Sequence, residues 1–434
     1  MKKNLWIWAI AALSMAACTS EDVPTTEQIV TENDWISPDG RVVVQLSADG
    51  LPTPTASVGR AAIVGSDISL LDNLGIFALD RNNTANYNTN SNNDVLLGNI
   101  RAKGTAEETL EPDLHTYEVG GQNQALKRIR LYNSETNKTN NQASIYYYPI
   151  QPSNNYNFYG YYPRQEDANV TYGTNTVEVK FEATDGSVDL ITGTQEENAP
   201  TMVAGSLFVN EDAENNTNTA ALDGYNSKYI RSIKYHNWLL EENKQTGKNK
   251  QRFVPNIKFE HQTALLQFFI VANDKQAGAQ TPPYDDQLQT CSLRVKNLIM
   301  EDVNTVATWE VKSNSITWST PADLTMQTSD EYSEAWEGDA MKPADKKENA
   351  KQAGYLMVEP KANYEVTLTV IAPTGDGDAI PAEQTTTLSI PTEFKAGYKY
   401  NIYIQLYALQ QVEISAELVD WVQGDDVFVP VGDK

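Results

Sequence analysis

Apolar and polar residues alternate in short runs along most of this chain. In "RVVVQLSA", Val42, Val44, Leu46 and Ala48 fall on one face, the period-two pattern of a strand with one buried side. Near the opposite end, "QVEISAEL" repeats it, with Val412, Ile414, Ala416 and Leu418 facing one way and Glu413, Ser415 and Glu417 the other. Between them "LDNLGIFALD", "DVLLGNI", "ASIYYYPIQPSNNYNFYGYYPR", "TVEVKF" and "VDLITG" read as strands of a first half. The second half reads as "IKFEHQTALLQFFIVAN", "CSLRVKNLIM", "ATWEVKSNSITW", "YLMVEP", "YEVTLTVIAP", "TTTLSI" and "YKYNIYIQLYAL". A last alternation, Val427, Val429 and Val431, follows Trp421. The segment "SEAWEGDAMKPADKKENAKQAGY" is the one helix of any length that the pattern predicts, with Pro343 interrupting it.

Short β-branched and aromatic runs bounded by turn residues predict an all-β fold of sandwiches, not a helical or α/β one. The strand signal thins between about residues 195 and 255, where "NEDAENNTNT" and "EENKQTGKNK" collect polar residues. That places one sandwich at 61–200 and a second at 201–434, the latter ending in an extension over about 411–434. The Asn-rich "RNNTANYNTNSNND" is a low-complexity exposed loop.

The first residues have another purpose. "MKKNLWIWAIAALSMAAC" carries two lysines, an apolar core too short for a confident membrane span, and small residues leading into Cys18. This is the form of a signal peptide, 1–17, whose ending resembles a lipobox, so that Cys18 carries lipid and the chain is anchored. Residues 18–60 then begin with a polar, acidic tether that cannot fold alone. Within "SADGLPTPTASVGRAAIVGSDISL" Arg60 stands among small residues, Pro and Thr. It reads either as a solvated surface residue or as the target of a trypsin-like protease on a loop tip.

Composition narrows the field. Lys and Arg number 33 against 58 Asp and Glu, a formal net charge of −25 over 434 residues. A field of that sign repels phosphate backbones and excludes nucleic acid as the expected partner. With Cys18 modified, Cys291 has no partner within the chain, so no disulfide framework is expected. His115, His236 and His261 show no metal-ligand spacing, and His261 in "FEHQTALLQF" reads as a strand residue with a buried face. "TGDGDAI" and "NEDAENN" lack the register of a Ca²⁺ loop and read as turns. No phosphate loop or nucleophile elbow occurs, and no catalytic residue, metal or cofactor is expected.

What remains is the pair of alternating segments. A cut between Arg60 and Ala61 leaves the first strand, with Val42, Val44 and Leu46, held by contacts alone. Its departure exposes an apolar groove flanked by unpaired backbone groups, an edge that recruits another strand. The strand of Val412, Ile414, Ala416 and Leu418 from a neighbouring molecule has the pattern to fill it. Such head-to-tail contacts build an open filament.

Four stretches carry a resemblance. The tyrosine-rich "YYYPIQPSNNYNFYGYYP", the "LGIFAL" strand, "FEHQTALLQFFI" and the closing "FKAGYKYNIYIQLYALQQVEISAELVDWVQGDD" resemble the fimbrillin family, over most of the chain from about residue 40 onward. The resemblance implies a lipoprotein precursor with two tandem transthyretin-like β-sandwich domains, lipidated at Cys18 and held by outer-membrane lipid. It implies cleavage after Arg60 by an arginine-specific protease and a donor strand in the segment after Gln410. Assembly with other pilus subunits into a surface fimbria follows, with adhesion to host or bacterial surface ligands. The alternative is a surface lipoprotein that never polymerises and binds glycans or host proteins, for instance on exposed tyrosines of "YYYPIQPSNNYNFYGYY".

Overall fold

The computed structural model describes residues 35–49, 71–82, 84–89, 93–108, 117–119, 122–124, 127–150, 154–182, 184–195, 224–231, 254–272, 293–328, 330–344, 347–372, 382–408 and 411–419. Strands dominate them. In the first part these are β1 (Leu46–Asp49), β2 (Leu74–Asp80), β3 (Val95–Glu108), β4 (Tyr117–Val119), β5 (Gln122–Gln124) and β6 (Lys127–Tyr132). There follow β7 (Tyr156–Tyr162), β8 (Val170–Tyr172), β9 (Val177–Phe181), β10 (Ile191–Gln195) and β11 (Asn256–His261).

Seven of these strands close on themselves in the order β1-β11-β10-β7-β2-β3-β6. Closure depends on β1, which pairs parallel with β11 and antiparallel with β6. The first unit is therefore a closed barrel where the sequence suggested an open sandwich. Closing the ladder removes two edges that would otherwise stand unpaired. β11 also returns to this barrel from beyond the polar stretch at 195–255, so by pairing the change of sheet falls between His261 and Ala264 rather than near residue 200.

"LGIFALD" in β2 is buried at every position because it has two apolar neighbours. Ile76 and Ala78 join the barrel interior, while Phe77 and Leu79 join a second cluster outside it. Inside, the ring of Phe259 lies over two glycines that face one another across β7 and β10, Gly160 and Gly193. A Cβ on Gly160 would stand 2.6 Å from Phe259 Cζ, and one on Gly193 would stand 2.8 Å from Phe259 Cδ1. These positions need glycine for close approach.

The second part comprises β12 (Ala264–Ala272), β13 (Arg294–Glu310), β14 (Ser315–Thr325), β15 (Trp336–Glu337) and β16 (Ala340–Met341). It continues with β17 (Gln352–Val358), β18 (Tyr364–Ala372), β19 (Ala382–Ile390), β20 (Lys399–Ala408) and β21 (Gln411–Val419). One sheet has the order β17-β12-β20-β21, and the other runs β15-β16-β13-β18-β19 with β14 also on β13. Their inner faces share one core, in which Leu266, Phe268 and Ile402 from the first meet Leu298, Val366 and Leu368 from the second.

The long β13 joins the two parts. Its last residues pair with β9, Ala307 opposite Phe181 and Trp309 opposite Val179. Trp309 is fully buried there, its ring centroid 5.5 Å from Tyr161 and 6.4 Å from Phe77. Its Nε1 donates to Asn314 Oδ1 at 2.9 Å, which also accepts from Thr192 Oγ1 of β10 at 2.9 Å. The indole is thus satisfied while it packs, as a buried Trp requires.

The segment expected as a helix, 333–355, folds otherwise. It comprises the end of a 3₁₀ turn at Asp330–Ala335, β15, β16, a second 3₁₀ turn at Lys347–Asn349 and the start of β17. Pro343 cannot continue a helix, and Ala344 instead exchanges backbone hydrogen bonds with Ile270 and Ala272 of β12. Tertiary pairing overrides the local propensity.

Lys399, at the start of β20, is only 1% exposed and stands in register between Leu265 and Val419. Burial pushes its ammonium down to about 8.

Two outcomes follow from this packing. Gly160→Ala should lose about 1–3 kcal/mol in denaturant unfolding, and Phe259→Leu in the same chain should recover part of it by vacating the space. Lys399→Met should raise the thermal midpoint at pH 7, where the fold carries a buried ammonium. The folded pKa lies below that of the unfolded chain, so wild-type stability rises as pH climbs from about 8. The advantage of Lys399→Met over wild type should therefore shrink through that range. A constant advantage would show that burial of the charge is not what separates them.

Candidate functional site

The chain enters the barrel through a tight hairpin. Pro38-Asp39-Gly40 supplies the turn, with Gly40 at φ +84°, and Ser37 N donates to Arg41 O at 2.8 Å. The Arg41 guanidinium binds Asp39 at 2.6 Å and lies 3.9 Å from the centroid of the Tyr147 ring. This arrangement holds the Asp39 carboxyl below its ordinary range, chiefly through the Ser37 hydroxyl that donates to it, with Arg41 adding charge. The "SPDG" turn signal lies within residues 18–60, whose polar start predicts only a tether.

From the turn the chain runs alongside Tyr146–Tyr148, where Val44 N donates to Tyr146 O at 2.8 Å and Tyr148 N to Val42 O at 3.0 Å. It then enters β1. Val42, Val44, Leu46 and Ala48 all lie in the barrel core with Ile129, Phe158, Ile257 and Phe259. On the opposite face of β1 stands Ser47. It is fully buried, and its hydroxyl stands 3.2 Å from both Pro255 O and Asn256 Oδ1. Asn256 is equally buried, and its side-chain nitrogen has no partner among the described residues.

Among the described residues β1 pairs only with strands that follow it in sequence, β6 and β11. Arg60 and Ala61 fall between β1 and β2, and they lie outside the described residues, as do Cys18, Cys291, "TGDGDAI" and "NEDAENN". Connectivity alone still decides one point. A cut anywhere in 50–70 would leave β1 attached to the barrel by burial and hydrogen bonds only. Burying the side chains of Val42, Val44 and Leu46 with the Ala48 methyl is worth roughly 5–10 kcal/mol gross.

The second alternating segment is β21, the edge strand of the four-stranded sheet, paired along one side with β20. Val412 is 8% exposed, Ile414 and Ala416 pack partly against the sandwich core, and Leu418 is 59% exposed. Across the outer face Lys347 pairs with Glu417 and lies 4.2 Å from the centroid of the Tyr403 ring, which itself stacks on Phe269 at 5.1 Å. Val42, Val44 and Leu46 thus sit in the barrel and Val412, Ile414, Ala416 and Leu418 on the sandwich, on separate sheets.

Most of the tyrosines that could have formed a sugar-binding platform are inside. Tyr148, Tyr156, Tyr159 and Tyr161 are buried, while Tyr146, Tyr147 and Tyr162 are half-buried. His261 is also buried, with Nδ1 2.5 Å from Asp189 Oδ2, and Thr263 Oγ1 donates to Asp189 Oδ1 at 2.6 Å. This network pins the crossing from β11 to β12. The sequence marked the histidine but gave no sign of its partner, 72 residues away.

No protein-family model matches the sequence, and no curated protein matches it. Among solved structures the chain is similar to a fimbrial protein from Bacteroides vulgatus, at 14% identity and a TM-score of 0.45, covering 87% of this chain and 99% of that one. A fimbrial assembly protein from Parabacteroides distasonis matches at 10% identity and a TM-score of 0.37, over 87% of this chain and 96% of that one. The fimbrial anchor protein Mfa2 from Porphyromonas gingivalis matches at 9% identity and a TM-score of 0.30, over 87% and 99% respectively.

Proposed function

We propose that this chain is a structural subunit of a cell-surface pilus, exported as a lipoprotein through Cys18, processed after Arg60 and polymerised by strand exchange. The observation that carries this reading is the position of β1. It is a central strand of the barrel, bonded on both edges, yet it precedes all its partners in sequence and is joined to them through the segment that holds Arg60. Proteolysis there converts a covalent part of the fold into a ligand. Loss of β1 leaves β11 and β6 as unpaired edges around an apolar groove, a state that recruits a strand.

β21 is the complementary element. Among the described residues it has one neighbour and lies at the end of its sheet, and it carries an exposed Leu418. On this reading the two units correspond to the two transthyretin-like domains that the fimbrillin resemblance implies, with outer-membrane lipid, an arginine-specific protease and other pilus subunits as partners. The presence of a donor extension favours a place in the stalk. Adhesion to host or bacterial surfaces would be a property of the assembled fibre.

Limited trypsin digestion of the purified precursor tests the proposal. Cleavage after Arg60 should release residues before Ala61 and yield a ladder of oligomers on native gels. Arg60→Ala should remain monomeric under the same digestion. An Arg60→Ala chain that polymerises as well as wild type, or a cleaved wild type that stays monomeric, would overturn it.

A further inference from the structure

Two stretches of this chain match position for position. Val44-Gln45-Leu46-Ser47-Ala48-Asp49 enters and forms β1, and Val412-Glu413-Ile414-Ser415-Ala416-Glu417 forms most of β21. Val, Ser and Ala are identical, and the other three positions exchange Gln for Glu, Leu for Ile and Asp for Glu. Resting on the strand-exchange reading above, we infer that the groove vacated by β1 accepts 412–417 of a second copy in a single register and direction, with Ser415 taking the place of Ser47 against Asn256.

Hydrophobic alternation alone cannot set this register, because a slip of two residues keeps the apolar face inward. Side-chain size and one polar position can. In the matched register the inward sequence Val-Leu-Ala is replaced by Val-Ile-Ala, conserving volume at each site. A two-residue slip puts Ile414 or Leu418 where Ala48 lies fully packed, and Ala416 or Val412 where Leu46 lies, so that one site is overfilled and another left with a gap.

The outward side discriminates more sharply. Ser47 occupies a site without solvent access, where its hydroxyl meets a backbone carbonyl and the Asn256 side-chain oxygen, each at 3.2 Å. A slip in either direction delivers Glu413 or Glu417 there, burying a larger, charged side chain against the Pro255 carbonyl in a site without solvent access. Only Ser415 restores the hydroxyl. In the same register Glu417 stands where Asp49 stands, beside Lys258. Ser415 is exposed in β21, so its hydroxyl is free of a structural task in the resting fold that would confuse a test.

The test uses two full-length chains, one carrying Lys127→Cys and the other Ala416→Cys, digested together with trypsin and then oxidised. Lys127 lies opposite Ala48 in the β1–β6 ladder, so the matched register sets residues 127 and 416 directly across from each other. Mass spectrometry should find an intermolecular 127–416 disulfide. Ile414→Cys or Leu418→Cys in place of Ala416→Cys should give far less linkage to residue 127. Polymers that link through residue 414 or 418 instead would overturn the register, or its direction, while leaving strand exchange standing. Absence of any wild-type polymer after cleavage would overturn strand exchange itself and this inference with it. Independently, Ser415→Ala should slow polymerisation about three- to tenfold with the monomer's unfolding curve unchanged. An unchanged rate would remove the role assigned to the hydroxyl.

Discussion

The barrel exists because a four-residue strand is bonded on both sides. Without β1 the remaining strands form an open sheet running from β11 through β10, β7, β2 and β3 to β6. Both terminal strands would then expose a ladder of unpaired groups, and the interior occupied by Leu46 and Ala48 would open to water. Closure by so short an element is unusual in its consequences. The covalent path from β1 to the rest runs only through 50–70, so the topology concentrates the integrity of the barrel in one connection.

The second dependence is the junction. β13 is long enough to serve two structures, pairing with β18 at its start and with β9 at its end. Around Trp309, Phe77 and Tyr161 from the barrel wall and Phe181 from β9 meet in one aromatic cluster. Because Asn314 accepts from both Trp309 and Thr192, and Asp189 accepts from Thr263 while lying 2.5 Å from His261 Nδ1, the polar groups at this crossing are paired, as burial demands. On the strand-exchange reading, a subunit bearing tension along a fibre would need its two parts joined in such a way.

Period-two alternation made the strands readable, and the buried face of "RVVVQLSA" is visible in the sequence because Val42, Val44, Leu46 and Ala48 do share the barrel core. Closure was not readable, since it requires knowing that β11 returns across about sixty residues to lie parallel to β1. The polar stretch before 255 looked like a boundary for the same reason. The helix expected at 333–355 was a local reading that pairing of Ala344 with β12 overrode. At the candidate site the apolar positions were legible, but Ser47 was not. Its environment comes from Pro255 and Asn256, more than two hundred residues away.

On the strand-exchange reading, the same segment is worth more in the barrel than on its own sheet. In β21 it has one hydrogen-bonded neighbour, Ile414 and Ala416 are partly buried, and Leu418 is 59% exposed. In the place of β1 it would have two neighbours and bury its central positions fully. The gain combines extra ladder hydrogen bonds, about 0.5–1.5 kcal/mol each, with apolar area at roughly 25 cal/mol per Å². Against it stand the exposed Lys347–Glu417 pair, worth little in water, and the cation–π contact with Tyr403. The resting edge is therefore the weaker of the two sites. What prevents premature exchange is not the strength of that edge but the occupancy of the barrel, and occupancy by a covalently attached β1 ends only with a cut. A subunit built this way can be stored folded, and the cut, by letting β1 depart, opens the site that the incoming strand fills.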